Sequence, residues 1–83
     1  MATPNEKEKV EKQINNLAKK FRELRKSKGY SNYEPFSFDF EIGRSQWGRY
    51  EKGADIRFST LVSILDKCGV SLKEFFSEGF EDE

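Results

Sequence analysis

The chain has 83 residues, enough for one small domain, with 15 lysines and arginines balanced by 15 aspartates and glutamates. It contains no histidine and a single cysteine, Cys68, which excludes a Cys/His zinc site, an internal disulfide and any histidine-dependent nucleophilic triad. No apolar run nears the roughly 18 residues of a membrane-spanning helix. The charged stretch Met1–Val10 also lacks the apolar core of a secretory signal. A soluble, cytoplasmic, non-enzymatic protein with no cofactor and no metal is expected.

Read in chain order, the sequence predicts an all-α domain of five helices. Val10, Ile14, Leu17, Phe21 and Leu24 recur at steps of four and three, one apolar stripe on a helix of about residues 4–28. Thr3, Pro4 and Glu6 make its start signal, and Gly29 its stop. Such a helix is long for so small a domain, so its first two turns are expected to project or fray. A second helix follows with Tyr33, Phe36 and Phe40 inward. Asn32 is the preferred cap, because it puts Pro35 at a position that tolerates the missing N–H.

Glu41-Ile42-Gly43 then forms a tight turn with Ile42 buried. The next helix runs from Arg44 to Lys52 and ends at Gly53. Trp47 and Tyr50 share its inward side, leaving Arg44, Ser45, Gln46, Gly48 and Arg49 on the rest of its circumference. A fourth helix is apolar over a broad face of Phe58, Leu61, Val62, Ile64, Leu65 and Cys68, and Gly69 closes it. Ser71 and Glu74 spell a capping box for a last short helix with Leu72, Phe75 and Phe76 inward. Gly79 would end it and let Phe80 fold back. The organisation is therefore an N-terminal extension over residues 1–12, a domain over 13–78 and an acidic tail over 79–83.

The zero net charge hides an asymmetry. Residues 1–57 hold 13 cations against 9 anions, and residues 58–83 hold 2 against 6. The densest basic run, Lys19 to Lys28, has six cations and one anion. Such a run raises the prospect of a polyanionic partner, although charge runs are more often the wet face of a helix. Cys68 reads as a small buried hydrophobe, and Trp47 and Tyr50 as core rather than a stacking cage.

Helix, short turn, helix over residues 33–52, with Phe36, Phe40, Ile42, Trp47 and Tyr50 inward and small Ser37 at the crossing, is the spacing of a helix-turn-helix unit. The chain here resembles the phage repressor/Cro-type (lambda-repressor-like, XRE-type) helix-turn-helix domains. The likeness runs through Leu24-Arg25, Lys28-Gly29-Tyr30-Ser31 and Arg44 to Gly53. It continues through Phe58 to Leu65 and Gly69 to Phe76, covering roughly residues 14–77. Family members usually carry Gly where this chain has Glu41 and Ala where it has Ser37. Pro35 and one additional residue between Gly29 and Arg44 are further departures. A non-glycine residue in the left-handed conformation costs about 1–2 kcal/mol, which leaves the local backbone of residues 30–43 open.

The residue types on the outward side of the 44–52 helix suit DNA. A first helical turn offers unpaired N–H groups to a phosphate, and arginine forks match a guanine edge in the major groove. Glutamine suits an adenine or a phosphate, and serine either at short range. The resemblance implies that Arg44, Ser45, Gln46 and Arg49 read bases and that Tyr33, Lys52 and Arg57 touch phosphates. It also implies a structural ion pair between Arg25 and Glu51. One such domain buries only about 600–1,000 Å² on DNA, so a homodimer on a two-fold site is expected, with half-sites one turn apart. Its dimer surface is either the long first helix or the region of Phe75, Phe76 and Phe80. No small-molecule effector domain is expected. The alternative reading is a protein-interaction module on the same fold, an adaptor or the antitoxin half of a pair, because fold does not settle function.

Overall fold

The computed structural model describes residues 3–80, which form five helices and no strand. The Thr3 hydroxyl accepts the Glu6 amide at 3.2 Å, and Pro4 occupies the first position of α1 (Pro4–Ser27), where no N–H is needed. Lys28 is the C-cap of α1, so the helix ends one residue before the expected limit. The extension over residues 1–12 is continuous with the domain: from Pro4 onward it is the same helix, exposed as far as Lys12. Met1 and Ala2 lie outside the described residues.

α2 (Tyr33–Asp39) starts after Asn32, which places Pro35 at its third position. α3 (Arg44–Glu51) follows after four residues. The link closes with the Ile42 amide donating to the Ser37 carbonyl at 2.8 Å and the Glu41 amide to the Phe38 carbonyl at 3.2 Å. This is the paired hydrogen bonding of a Schellman ending, which demands a left-handed residue at its centre. Glu41 is that residue, with φ of 57°, the one positive φ outside glycine among the described residues. The turn therefore forms with a non-glycine residue at its left-handed position. The Lys67 ammonium donates to the Glu41 carbonyl at 2.7 Å and holds the link from α4.

α4 (Phe58–Cys68) ends at Gly69, whose left-handed φ of 69° a side chain would resist. α5 (Leu72–Phe75) opens with a complete capping box. The Ser71 hydroxyl accepts the Glu74 amide, and the Glu74 carboxylate accepts the Ser71 amide.

Packing centres on Trp47, which is fully buried between Phe21 of α1 and Phe36 of α2, each ring 5.0 Å away. Phe75 reaches Phe21 at 5.6 Å, tying α5 to the same cluster, and Leu61, Ile64, Leu65 and Cys68 line it from α4. Truncating a core aromatic of this kind costs about 3–5 kcal/mol. Every buried side-chain nitrogen and oxygen among the described residues has a hydrogen-bond partner. The Cys68 thiol sits in this core, and burial pushes its pKa up.

Four inward assignments are corrected. Phe58 and Val62 are exposed, because α4 turns Leu61, Ile64, Leu65 and Cys68 to the core and puts the first turn's ring on the opposite side. Leu72 and Phe76 are only partly covered, since the single turn of α5 points Phe75 alone into the cluster. Of the expected acidic tail, Gly79 and Phe80 belong to the fold. The Phe80 ring lies tilted 4.8 Å from Phe76 and 6.2 Å from Phe75. Residues 81–83, with three of the tail's carboxylates, lie outside the described residues.

Candidate nucleic-acid interface

α3 divides sharply around its circumference. Trp47, Gly48 and Glu51 are buried, and Tyr50 is half-buried. Arg44, Ser45, Gln46, Arg49 and the C-cap Lys52 are all exposed. Helical spacing explains the division, because positions 47, 48 and 51 lie within one third of a turn of one another. The N-cap is Gly43, which has no side chain to accept a first-turn N–H. Gln46 folds back toward it: a Cβ on Gly43 would stand 3.1 Å from the Gln46 Oε1.

The buried side of α3 is fixed by Glu51. Its carboxylate accepts the Arg25 Nε at 2.8 Å and the Arg25 Nη2 at 3.1 Å, a bidentate pair with both side chains 8% exposed. The Trp47 indole N–H donates to the same carboxylate, and the Arg22 guanidinium donates to the Glu51 carbonyl. Arg25 also donates to the carbonyls of Tyr30 and Ser31 at 3.0 and 2.7 Å. One guanidinium thus joins α1, the entry to α2 and the end of α3, and α3 has little freedom to rotate about its axis. Planar two-point geometry is what arginine supplies and lysine does not.

The remaining sequence-predicted residues lie on α2, on α3 and at the start of α4. Arg57 is exposed at the N-cap of α4. Arg44 lies 3.6 Å from the Glu34 carboxylate on α2, with both side chains mostly in solvent. A pair so exposed adds at most about 1 kcal/mol to stability. Tyr33 is half-buried at the start of α2, its ring against Gly48.

Gly48 requires a correction. Helical spacing puts it with the outward residues, but it is buried at the crossing of α2 and α3, where the Tyr33 ring covers it. The missing side chain does permit a close approach, as a glycine inside a helix implies, and the neighbour that approaches is an aromatic ring of the same chain. The Glu34–Arg44 contact and the Lys67 clamp on the turn leave no signal in local spacing. The Trp47–Glu51 bond was legible in principle, because residues four apart on a helix face one another.

Among the described residues no cluster of His, Cys, Asp and Glu side chains is arranged to hold a metal ion, and no helix is long and apolar enough to cross a membrane. Comparison with family models, curated proteins and solved structures gave no match.

Proposed function

We propose that this chain is a repressor-type helix-turn-helix domain that binds double-stranded DNA, without catalytic activity, and regulates transcription by laying α3 in the major groove. The observation that carries the reading is the division of α3: its indole and its one carboxylate are turned inward and tied down, while Arg44, Ser45, Gln46 and Arg49 stand in solvent. Arg44 and Arg49 would each grip a guanine edge, Gln46 an adenine, and Ser45 either at short range. Tyr33, Lys52 and Arg57 would fix the register on phosphates, as would the uncapped N–H groups of the first turn of α3. Two copies on a two-fold duplex would supply the area that one domain lacks.

Selection of a preferred duplex from a random pool, followed by titration at several salt concentrations, tests the reading. An enriched sequence with two related half-sites is expected, with affinity falling steeply as salt rises. Replacing both Arg44 and Arg49 by alanine removes two contacts of about 1–3 kcal/mol each, a loss of at least about 30-fold. Glu34→Gln removes the carboxylate beside Arg44 and should strengthen binding by a few-fold at low salt. A double arginine variant that binds its best duplex as well as the parent overturns the proposal.

A second reading, a protein-interaction module on the same scaffold, is favoured by the rings of Phe38 and Phe58, which are 83% and 64% exposed. Failure of the parent to enrich any duplex would support it.

A further inference from the structure

The apolar stripe of α1 continues past the end of the domain's own core. A 24-residue helix is about 36 Å long, whereas the molecule measures 40 × 25 × 23 Å, so α1 spans nearly the whole long axis. Phe21 and Leu24 at one end of the stripe are buried in the core, Leu17 and Ile14 are half-buried, and Val10 at the other end is 55% exposed. These five residues follow one another at steps of four, three, four and three, the spacing of a coiled-coil seam rather than of a helix lying on a single broad core. Opposite the uncovered half stand Phe76 and Phe80, and between them runs an open groove of about 520 Å³.

We infer that this groove is the interface between two copies of the chain, the upper half of each α1 lying antiparallel in the groove of the other. The inference goes beyond the DNA-binding reading and does not depend on it. The groove joins the long first helix and the C-terminal phenylalanines into one surface, so these are not separate candidates for a dimer contact.

Charge selects a second copy as the occupant. Between Glu6 and Lys12 the helix carries Glu6, Glu8 and Glu11 against Lys7, Lys9 and Lys12, a neutral alternation that repels neither itself nor a copy. The groove's two charged lining residues, Lys9 and Asp55, have opposite signs. A two-fold axis makes a patch its own partner, so a surface bearing both signs around an apolar seam can complement itself. A strongly basic or acidic target finds no matching field there. A parallel arrangement would set Glu6 of one copy against Glu11 of the other at the flanks of the seam, and the antiparallel one avoids that contact.

Sedimentation equilibrium of the full chain, without DNA, from about 1 to 300 µM tests the interface. A reversible monomer–dimer equilibrium is expected. Val10→Glu and Phe76→Ser should each weaken it at least about tenfold, because each removes apolar surface and the first also buries a carboxylate. Val10 lies on the exposed half of α1, so the helical circular dichroism and the melting temperature of the Val10→Glu monomer should remain those of the parent. Phe76→Ser also loses its ring contacts with Phe75 and Phe80, so it is compared at a temperature where its circular dichroism is that of the folded chain. A 9.7 kDa species at every concentration overturns the inference, as does a dimer that both substitutions leave intact. With no DNA in the cell, either result leaves the major-groove reading to its own experiment.

Discussion

The ring of Tyr33 lies over Gly48, so that a Cβ at position 48 would stand 3.2 Å from Cε2 and 3.3 Å from Cζ of the tyrosine. Glycine inside a helix costs about 1 kcal/mol relative to alanine, and here the ring above it opposes the replacement. Gly48→Ala should therefore stabilise the protein by about 1 kcal/mol in a Tyr33→Ser background, and by at least about 0.5 kcal/mol less in the parent. Urea denaturation of the four proteins of this cycle measures the difference.

Glu51 holds Arg25, the Trp47 indole and, through its carbonyl, Arg22. Glu51→Ala strands a buried guanidinium and an indole N–H, at an expected cost of about 3–5 kcal/mol. Glu51→Gln keeps an acceptor for Trp47 and should cost less. Because the two side chains act as a unit, a cycle of Arg25→Met with Glu51→Gln should show a coupling of at least about 1 kcal/mol. Additive losses would mean that the pair contributes nothing beyond its separate packing.

Glu41 keeps a left-handed turn that glycine adopts without strain. Glu41→Gly should stabilise the protein by about 0.5–1 kcal/mol, the relieved strain less the added freedom of the unfolded chain. Glu41→Ala retains the strain and should stay within about 0.5 kcal/mol of the parent. Thermal melts of the two variants side by side decide the matter.

The Tyr30 hydroxyl donates to the Asp39 carboxylate, and that hydrogen bond, with desolvation and the nearby negative charge, raises the phenol above its ordinary value of 10.0. A folded pKa above the unfolded one stabilises the protein fully below pH 10 and loses its effect as the pH rises through the raised value. Asp39→Asn removes the charge, so the phenolate absorbance of Tyr30 should appear at lower pH than in the parent. An unchanged titration would show that the contact does not persist in solution.

How far the sequence reaches is clearest at the helix ends. Thr3, Asn32 and Ser71 mark three starts, and Gly29 and Gly69 follow two of the ends, because caps and left-handed turns involve only residues within one turn of each other. The inward placement of Phe21, Phe36, Trp47, Leu61, Leu65 and Phe75 followed from 3.6-residue spacing, which is also local. The outward position of Arg44, Ser45, Gln46 and Arg49 came from the same periodicity and the inward pull of Trp47.

Other features depended on which helix crosses which. Spacing alone put Gly48 outward and Phe58, Leu72 and Phe76 inward, but a residue is buried only where a second element arrives to cover it. α2 arrives over Gly48 with the Tyr33 ring, while no element covers Phe58. The Glu34–Arg44 contact and the Lys67 clamp on the turn join residues 10 and 26 positions apart, beyond the range of local periodicity. Local hydrogen bonding and steric preference wrote the helices and their apolar faces into the chain. The crossing of α2 over α3, and the half of α1 left uncovered, were decided only by the packing of the whole.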